Sequence, residues 1–173
     1  MTAIISECGT YRYLLTRWTR TLLSHTLPMA NGSLLLLMLN PSTADASKND
    51  PTIRRCISLA ERLGAADLTV VNLFAYRATK PKALKEALVA GEDIIGPEND
   101  DYIRYAVENA DKVVCAWGRN GMHYTQRVAR VLMILDGVEL WCLGETKDEH
   151  PKHPLMVPNN TPLKRYWTGD EDE

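Results

Sequence analysis

Leu34-Leu-Leu-Leu-Met-Leu-Asn40-Pro-Ser-Thr-Ala-Asp45, followed by Asp50-Pro-Thr-Ile-Arg-Arg55, is the stretch from which the fold reads most directly. Six apolar residues in a row stop at an Asn-Pro pair. An unbroken apolar run of that length suits a central strand covered on both faces, whereas a half-exposed strand would alternate. Asp50 is a good helix N-cap and Pro51 suits the first helical position. Ile53, Cys56, Ile57, Ala60 and Leu63 then recur at helical spacing, and Gly64 supplies the stop. A buried strand that runs into a polar loop ahead of a helix is where open α/β sheets hold their ligands.

Upstream, Thr26 to Ser33, with Pro28 and Gly32, reads as a loop, and Tyr11 to Trp18 as a strand near an edge. Downstream, strands are expected at Leu68 to Leu73, Lys112 to Trp117 and Val138 to Leu143. Between them lie helices at Pro81 to Leu88, Pro97 to Ala110 and Met122 to Leu135. Strands that alternate with helices after residue 34 predict a three-layer α/β/α fold with a central, mostly parallel sheet of four to five strands. Residues 1–168 read as a single α/β domain, and 169–173, Gly-Asp-Glu-Asp-Glu, as a frayed acidic tail.

Composition narrows the function classes. The chain has 173 residues, 45% hydrophobic and 24% charged, with a formal net charge of -2. That balance argues against a strongly basic nucleic-acid coat and leaves room for a local basic groove. No apolar run approaches the roughly 20 residues that span a bilayer, so no membrane association is expected. Met1 to Tyr13 lacks the basic-then-apolar order of a signal peptide, which makes the cytoplasm the expected location. Cys8, Cys56, Cys115 and Cys142 are widely spread with no Cys-x-x-Cys pair, so they read as reduced thiols, some of them in the core.

Polar groups cluster where the strands end. Asn40 offers a donor and an acceptor at the rim, to orient a water or hold a polar ring edge; as a plainer alternative it caps the turn before Pro41. Ser42 and Thr43 are small polar groups that either cradle a phosphate or close a turn. Asp45 and Asp50 are the nearest carboxylates, and because Asp50 reads as a cap, Asp45 ranks first as general base. At the second rim Asn72 ends an apolar strand beside Phe74, a pairing able to stack and hydrogen-bond a planar base. Arg77 follows as an anion contact or a solvated loop residue. At the third, Trp117-Gly118-Arg119-Asn-Gly121 allows close backbone approach, without the spacing or lysine of a phosphate-binding loop. At the fourth, His150 and His153 flank Lys152, and either histidine can donate to developing negative charge or exchange protons. As metal ligands the two are unpersuasive, with no third ligand and no helix to fix them, so no metal or cofactor is expected.

These blocks together resemble a bacterial and phage domain family of uncharacterised function, marked by LNPSTAD–DPTIRR, VNLF-YRAT, WG and HP-KHPL segments. They stand here at Leu39 to Arg55, Val71 to Thr79, Trp117-Gly118 and His150 to Leu155. More remotely, the motif order is similar to the uracil-DNA glycosylase superfamily. That resemblance implies a water-activating role for Asn40-Pro41, base reading by Asn72, and stabilisation of the leaving base by His150 or His153. By position it makes Phe74 a stacking residue. The expected activity is therefore that of an enzyme acting on a nucleobase, hydrolysing an N-glycosidic bond in DNA or a nucleotide. Asn40, with Asp45, would position water, and Arg54, Arg55, Arg77, Arg119 and Lys152 would contact phosphates. Pro41, Ser42, Thr43, Trp117 and Gly118 would complete the substrate pocket. Two other readings stay open: a non-catalytic nucleic-acid or nucleotide binding module, and an enzyme on a small phosphorylated metabolite.

Overall fold

The computed structural model describes residues 1–20, 29 and 31–166. Two strands come first, β1 (Thr2–Ile5) and β2 (Arg12–Trp18), paired antiparallel. The apolar run forms β3 (Ser33–Met38), and helix α1 (Pro51–Leu63) follows it. Then come β4 (Asp67–Asn72), α2 (Pro81–Val89), α3 (Asn99–Glu108) and β5 (Lys112–Cys115). A 3-10 turn at Arg119–Tyr124 leads into α4 (Thr125–Ile134). Strand β6 (Leu140–Cys142), a second 3-10 turn at Pro154–Met156 and β7 (Lys164–Arg165) complete the described chain.

One sheet carries all of these strands in the order β1-β2-β4-β3-β5-β6-β7. Its centre, β4-β3-β5-β6, is parallel, with β3 paired on both sides. The expected four or five mostly parallel strands become a mixed sheet of seven among the described residues. The cause lies at the edges. β2 runs antiparallel to both β1 and β4, and β7 returns antiparallel along β6. The helix expected from Met122 begins at Thr125, after the 3-10 turn. The acidic tail at 169–173 lies outside the described residues, as do residues 26–28 and 30 of the expected 26–33 loop.

Pleating splits the leucine run between two cores. Leu34, Leu36 and Met38 face α1, where they meet Ile53, Cys56, Leu59, Ala60 and Leu63. Leu35 and Leu37 face the other helices, with Leu84 from α2, Ile103 from α3 and Val128 and Val131 from α4. Helices therefore cover both faces, which is why β3 needs no polar residue. The ends of α1 obey the local chemistry. Asp50 Oδ1 accepts the Ile53 N–H at 2.8 Å, and Gly64 closes the helix at φ 81°, a left-handed value that glycine adopts freely. Cys56, Cys115 and Cys142 are buried free thiols and Cys8 is exposed. Among the described residues no helix is long and apolar enough to cross a membrane.

Candidate functional site

Because β4, β3 and β5 are parallel, the segments that leave their C-terminal ends meet on one side of the sheet. They enclose a cleft of about 630 Å³, within the size range typical of small-molecule sites. The chain after β3 contributes Leu39, Asn40 and Ser42, and the end of β4 contributes Asn72. Trp117, Gly118 and Arg119 come from the end of β5. The late loop adds His153, Leu155 and Met156, and the start of α1 adds Asp50, Thr52 and Ile53. Arg12, from β2, also lines the wall, with Met38, Ala78, Thr79 and Asn120.

The two strand-end asparagines are held differently. Asn40 donates from Nδ2 to Pro41 O at 3.1 Å and to Ala78 O at 2.8 Å. Both amide hydrogens are thereby used, one within its own loop and one to tie the loop after β3 to the loop after β4. Its side-chain oxygen is the atom left for a ligand or a water. Asn72 is 1% exposed, and its Nδ2 has no protein acceptor. A buried donor without a partner costs on the order of 1–3 kcal/mol, so its presence at a cleft wall calls for an acceptor from outside the protein. The backbone behind Asn72 is firmly clamped. Asn99 Nδ2 donates to Asn72 O and Leu73 O, both at 3.1 Å. Arg127 Nε donates to Leu73 O at 2.6 Å, and its guanidinium pairs with Asp100 at 2.6 Å.

Trp117 supplies the aromatic wall. It is 1% exposed, with Tyr166 packed edge-on at 5.7 Å between ring centroids. Its indole N–H donates to His150 Nδ1 at 3.4 Å. Two glycines let this turn close. Gly118 stands at φ 76°, where an added Cβ would come within 3.1 Å of the His153 Cβ. At Gly121 a Cβ would fall 2.4 Å from Trp117 Cδ1, inside contact distance. Gly121→Ala is accordingly expected to push the indole out of place and to lower stability by about 1–3 kcal/mol, as overpacking does. Urea denaturation checks the loss, and an unchanged midpoint would refute the packing argument.

The late loop separates its histidines. His153 lines the cleft, and its Nδ1 accepts the Leu155 N–H at 3.2 Å. That bond requires an unprotonated Nδ1, so the neutral ring carries its proton on Nε2. Burial lowers the His153 pKa, against an opposing pull from Asp50, which favours this neutral form. His150 stands outside the lining set and supports Trp117. Its pKa is also lowered by burial.

Other expected site residues have partners within the protein or stand outside the lining, Arg119 alone among them lining the cleft. Asp45 Oδ1 accepts from the backbone of Ser47 at 2.9 Å and of Lys48 at 2.8 Å, and from the Ser47 hydroxyl. These bonds lower its pKa and make it a brace of its own loop, away from the cleft lining. Phe74 is 2% exposed and packs edge-on against Tyr124 at 4.7 Å, in the core under α2 to α4. Pro41 is buried and Thr43 exposed, neither in the lining. Arg54 donates to Asn49 O, Arg55 to Pro154 O and Val157 O, and Arg77 to Gly9 O. Arg119 pairs with Asp148 at 3.0 Å on the surface. Lys152 is half-buried and outside the lining.

The structure adds two arginines that the motifs did not single out, and a place in the cleft wall for Asp50. Asp50 is 8% exposed and lines the cleft while it caps α1. Arg12 is 2% exposed. Arg17, 1% exposed, donates to Asn49 Oδ1, Asp45 O and Lys48 O, and so fixes the loop that leads to Asp50. The only signal for either arginine is a charge inside a strand-like segment. Among the described residues no group of three or more His, Cys, Asp or Glu is placed to hold a metal.

No curated protein and no solved structure matches the chain. A family profile does match, over residues 12–155, from the buried arginine of β2 to the Leu155 of the late loop. The chain belongs to that family, DUF1643, described as a protein family of unknown function.

Proposed function

We propose that the protein binds a nucleobase-bearing ligand in this cleft and hydrolyses its N-glycosidic bond. The observation that carries the reading is the shared cleft of Asn40, Asn72, Asp50, Trp117 and His153, brought together from five separate segments. Asn72 presents an unpartnered donor to a carbonyl on the base edge. Trp117 offers an apolar wall for the ring. Asp50 and the side-chain oxygen of Asn40 are acceptors that hold a water. As that water adds to the sugar carbon, the carbon–nitrogen bond breaks and its electron pair leaves with the base. The Asp50 carboxylate takes up the water proton, and the His153 Nε2–H donates to the negative charge growing on the base. Asp45, bound to Ser47 and Lys48, is left out of this scheme.

The architecture lends support of its own. A parallel strand core with helices on both faces, and a cleft at the strands' C-terminal ends, is the arrangement expected of a relative of the uracil-DNA glycosylase superfamily. The test is direct. The purified protein is incubated with nucleosides, nucleoside monophosphates and oligonucleotides, and free base is measured chromatographically. Release of free base from one of these classes is the expected result. Binding without release from any of them would overturn hydrolysis and leave a binding module.

A further inference from the structure

Arg12 is the most unusual group in the cleft that the scheme above does not use. Arg12 lines the cavity, yet it is 2% exposed. One nitrogen, Nη1, donates to Ala44 O at 3.1 Å, and Nε is buried without an acceptor. Among the described residues it makes no ion pair within 4.0 Å. A buried arginine normally sits on a carboxylate or a set of carbonyls, because a desolvated cation without them is costly. Three hydroxyls share its cleft, Ser42, Thr52 and Thr79, and none donates a hydrogen bond to the described protein. Thr52 lies in the first turn of α1, where Pro51 has no N–H and Asp50 takes that of Ile53, so the Thr52 N–H is left beside its hydroxyl.

We propose that Arg12, Ser42 and Thr52 form a subsite for the terminal phosphate of a small ligand, so that the substrate class is a nucleoside monophosphate. The inference rests on the nucleobase reading for the other half of the ligand. Its physical basis is complementarity. With Asn72 Nδ2 given to the base edge, Arg12 carries the remaining unpartnered buried donor of the cleft, and a phosphate monoester offers acceptors at neutral pH. Burial lowers the Arg12 pKa to about 10, against the opposing effect of Asp50, so the side chain stays cationic at neutral pH. Asp50 is the opposing charge in the same cleft.

A nucleic-acid backbone fits the surface poorly. Four arginines expected to contact phosphates, Arg54, Arg55, Arg77 and Arg119, are bound to Asn49 O, to Pro154 O, to Gly9 O and to Asp148. A polymer's phosphodiesters run across a surface, whereas Arg12, with its Nε unbonded, is buried in the cleft wall. The formal net charge of -2 points the same way.

Calorimetry on the full chain separates the alternatives, with inorganic phosphate, nucleosides, their 5′-monophosphates and a single-stranded oligonucleotide as probes. Monophosphates are expected to bind about 10- to 100-fold more tightly than their nucleosides, the effect of charge-assisted hydrogen bonds. Arg12→Met removes that preference and Arg12→Lys restores part of it. Should Arg12→Met fail to fold, Thr52→Val and Ser42→Ala, each losing a few-fold for monophosphates and nothing for nucleosides, make the same point. Asp50→Asn, which removes the opposing charge, tightens monophosphate binding in the wild-type background and less so in Arg12→Met. Equal affinity for nucleoside and monophosphate, or a preference that survives loss of Arg12, overturns the subsite and leaves the nucleobase reading intact. Phosphate binding that depends on Arg12 with no affinity for any nucleoside overturns the nucleobase reading and keeps the subsite. Tighter binding of the oligonucleotide, with steep loss on added salt, overturns the monophosphate assignment.

Discussion

Asp50→Asn is expected to lower the rate of base release by about 10²–10⁴-fold, the range for loss of a positioned general base. The same substitution leaves the fold in place. Asparagine matches aspartate as a helix N-cap, because its side-chain oxygen accepts the same bond. The Ile53 N–H at 2.8 Å therefore keeps its partner. What changes is the charge, and with it the ability to take a proton from water. Asp50 is the only carboxylate among the cleft-lining residues, so no neighbour replaces it. The measurement pairs base release with a thermal melt. A large rate loss with a melting temperature changed by a few degrees is the expected pattern. An unaltered rate would remove Asp50 from the chemistry. A collapse of the melting temperature would show that the carboxylate's role is structural.

Local pattern alone ranks Asp45 above Asp50 as a base. Asp50 was legible as an N-cap from Asp-Pro followed by an apolar periodicity, and that is what its Oδ1 does. A cap on local pattern ranks second as a base, without being barred from that role. A carboxylate has two oxygens, and only the fold reveals that this cap also stands in the cleft wall. Phe74 shows the converse. It follows Asn72 by two residues, and position alone assigned it to the rim. In the structure the ring turns into the core against Tyr124. Whether a side chain beyond a strand end points outward depends on packing that local pattern does not carry.

The strands divide in the same way. β3 and α1 were legible because their patterns are long and their boundary residues have strong local preferences. β1 has four residues and β7 two, and both exist through pairing with a neighbour. Without them, and without the antiparallel run of β2 beside β4, strand–helix alternation suggests a smaller and more uniformly parallel sheet. Arg12 and Arg17 escaped for a related reason. A charge in a strand ordinarily marks a solvent face. The acceptors that make Arg17 a buried brace belong to Asn49, Asp45 and Lys48, some thirty residues away.

His153→Ala is expected to slow base release by about 10²–10³-fold, the usual consequence of losing a donor aimed at developing charge. The geometry specifies which form of the ring acts. Nδ1 is occupied as the acceptor of the Leu155 N–H, so the neutral ring has one proton, on Nε2, to donate. Protonating the ring removes that acceptor and breaks the bond that orients it. Activity should therefore hold through neutral pH and fall on acidification. The acid limb lies below the unperturbed histidine value of about 6.5, because burial lowers the pKa of His153. Stability follows the same direction. The native state resists a proton that the unfolded chain accepts, so below about pH 6.5 the unfolded chain binds more protons and stability declines as the pH drops. His150, also lowered by burial, adds to that loss. His153→Gln keeps an N–H donor without a titrating ring, so it should recover part of the rate and lose the acid limb that His153 contributes. A pH–rate profile on the wild type and both variants decides the matter. If His153→Ala keeps the full rate, or if the acid limb survives unchanged in His153→Gln, His153 only holds the loop against Gly118, and the charge on the departing base must be met by another donor in the cleft.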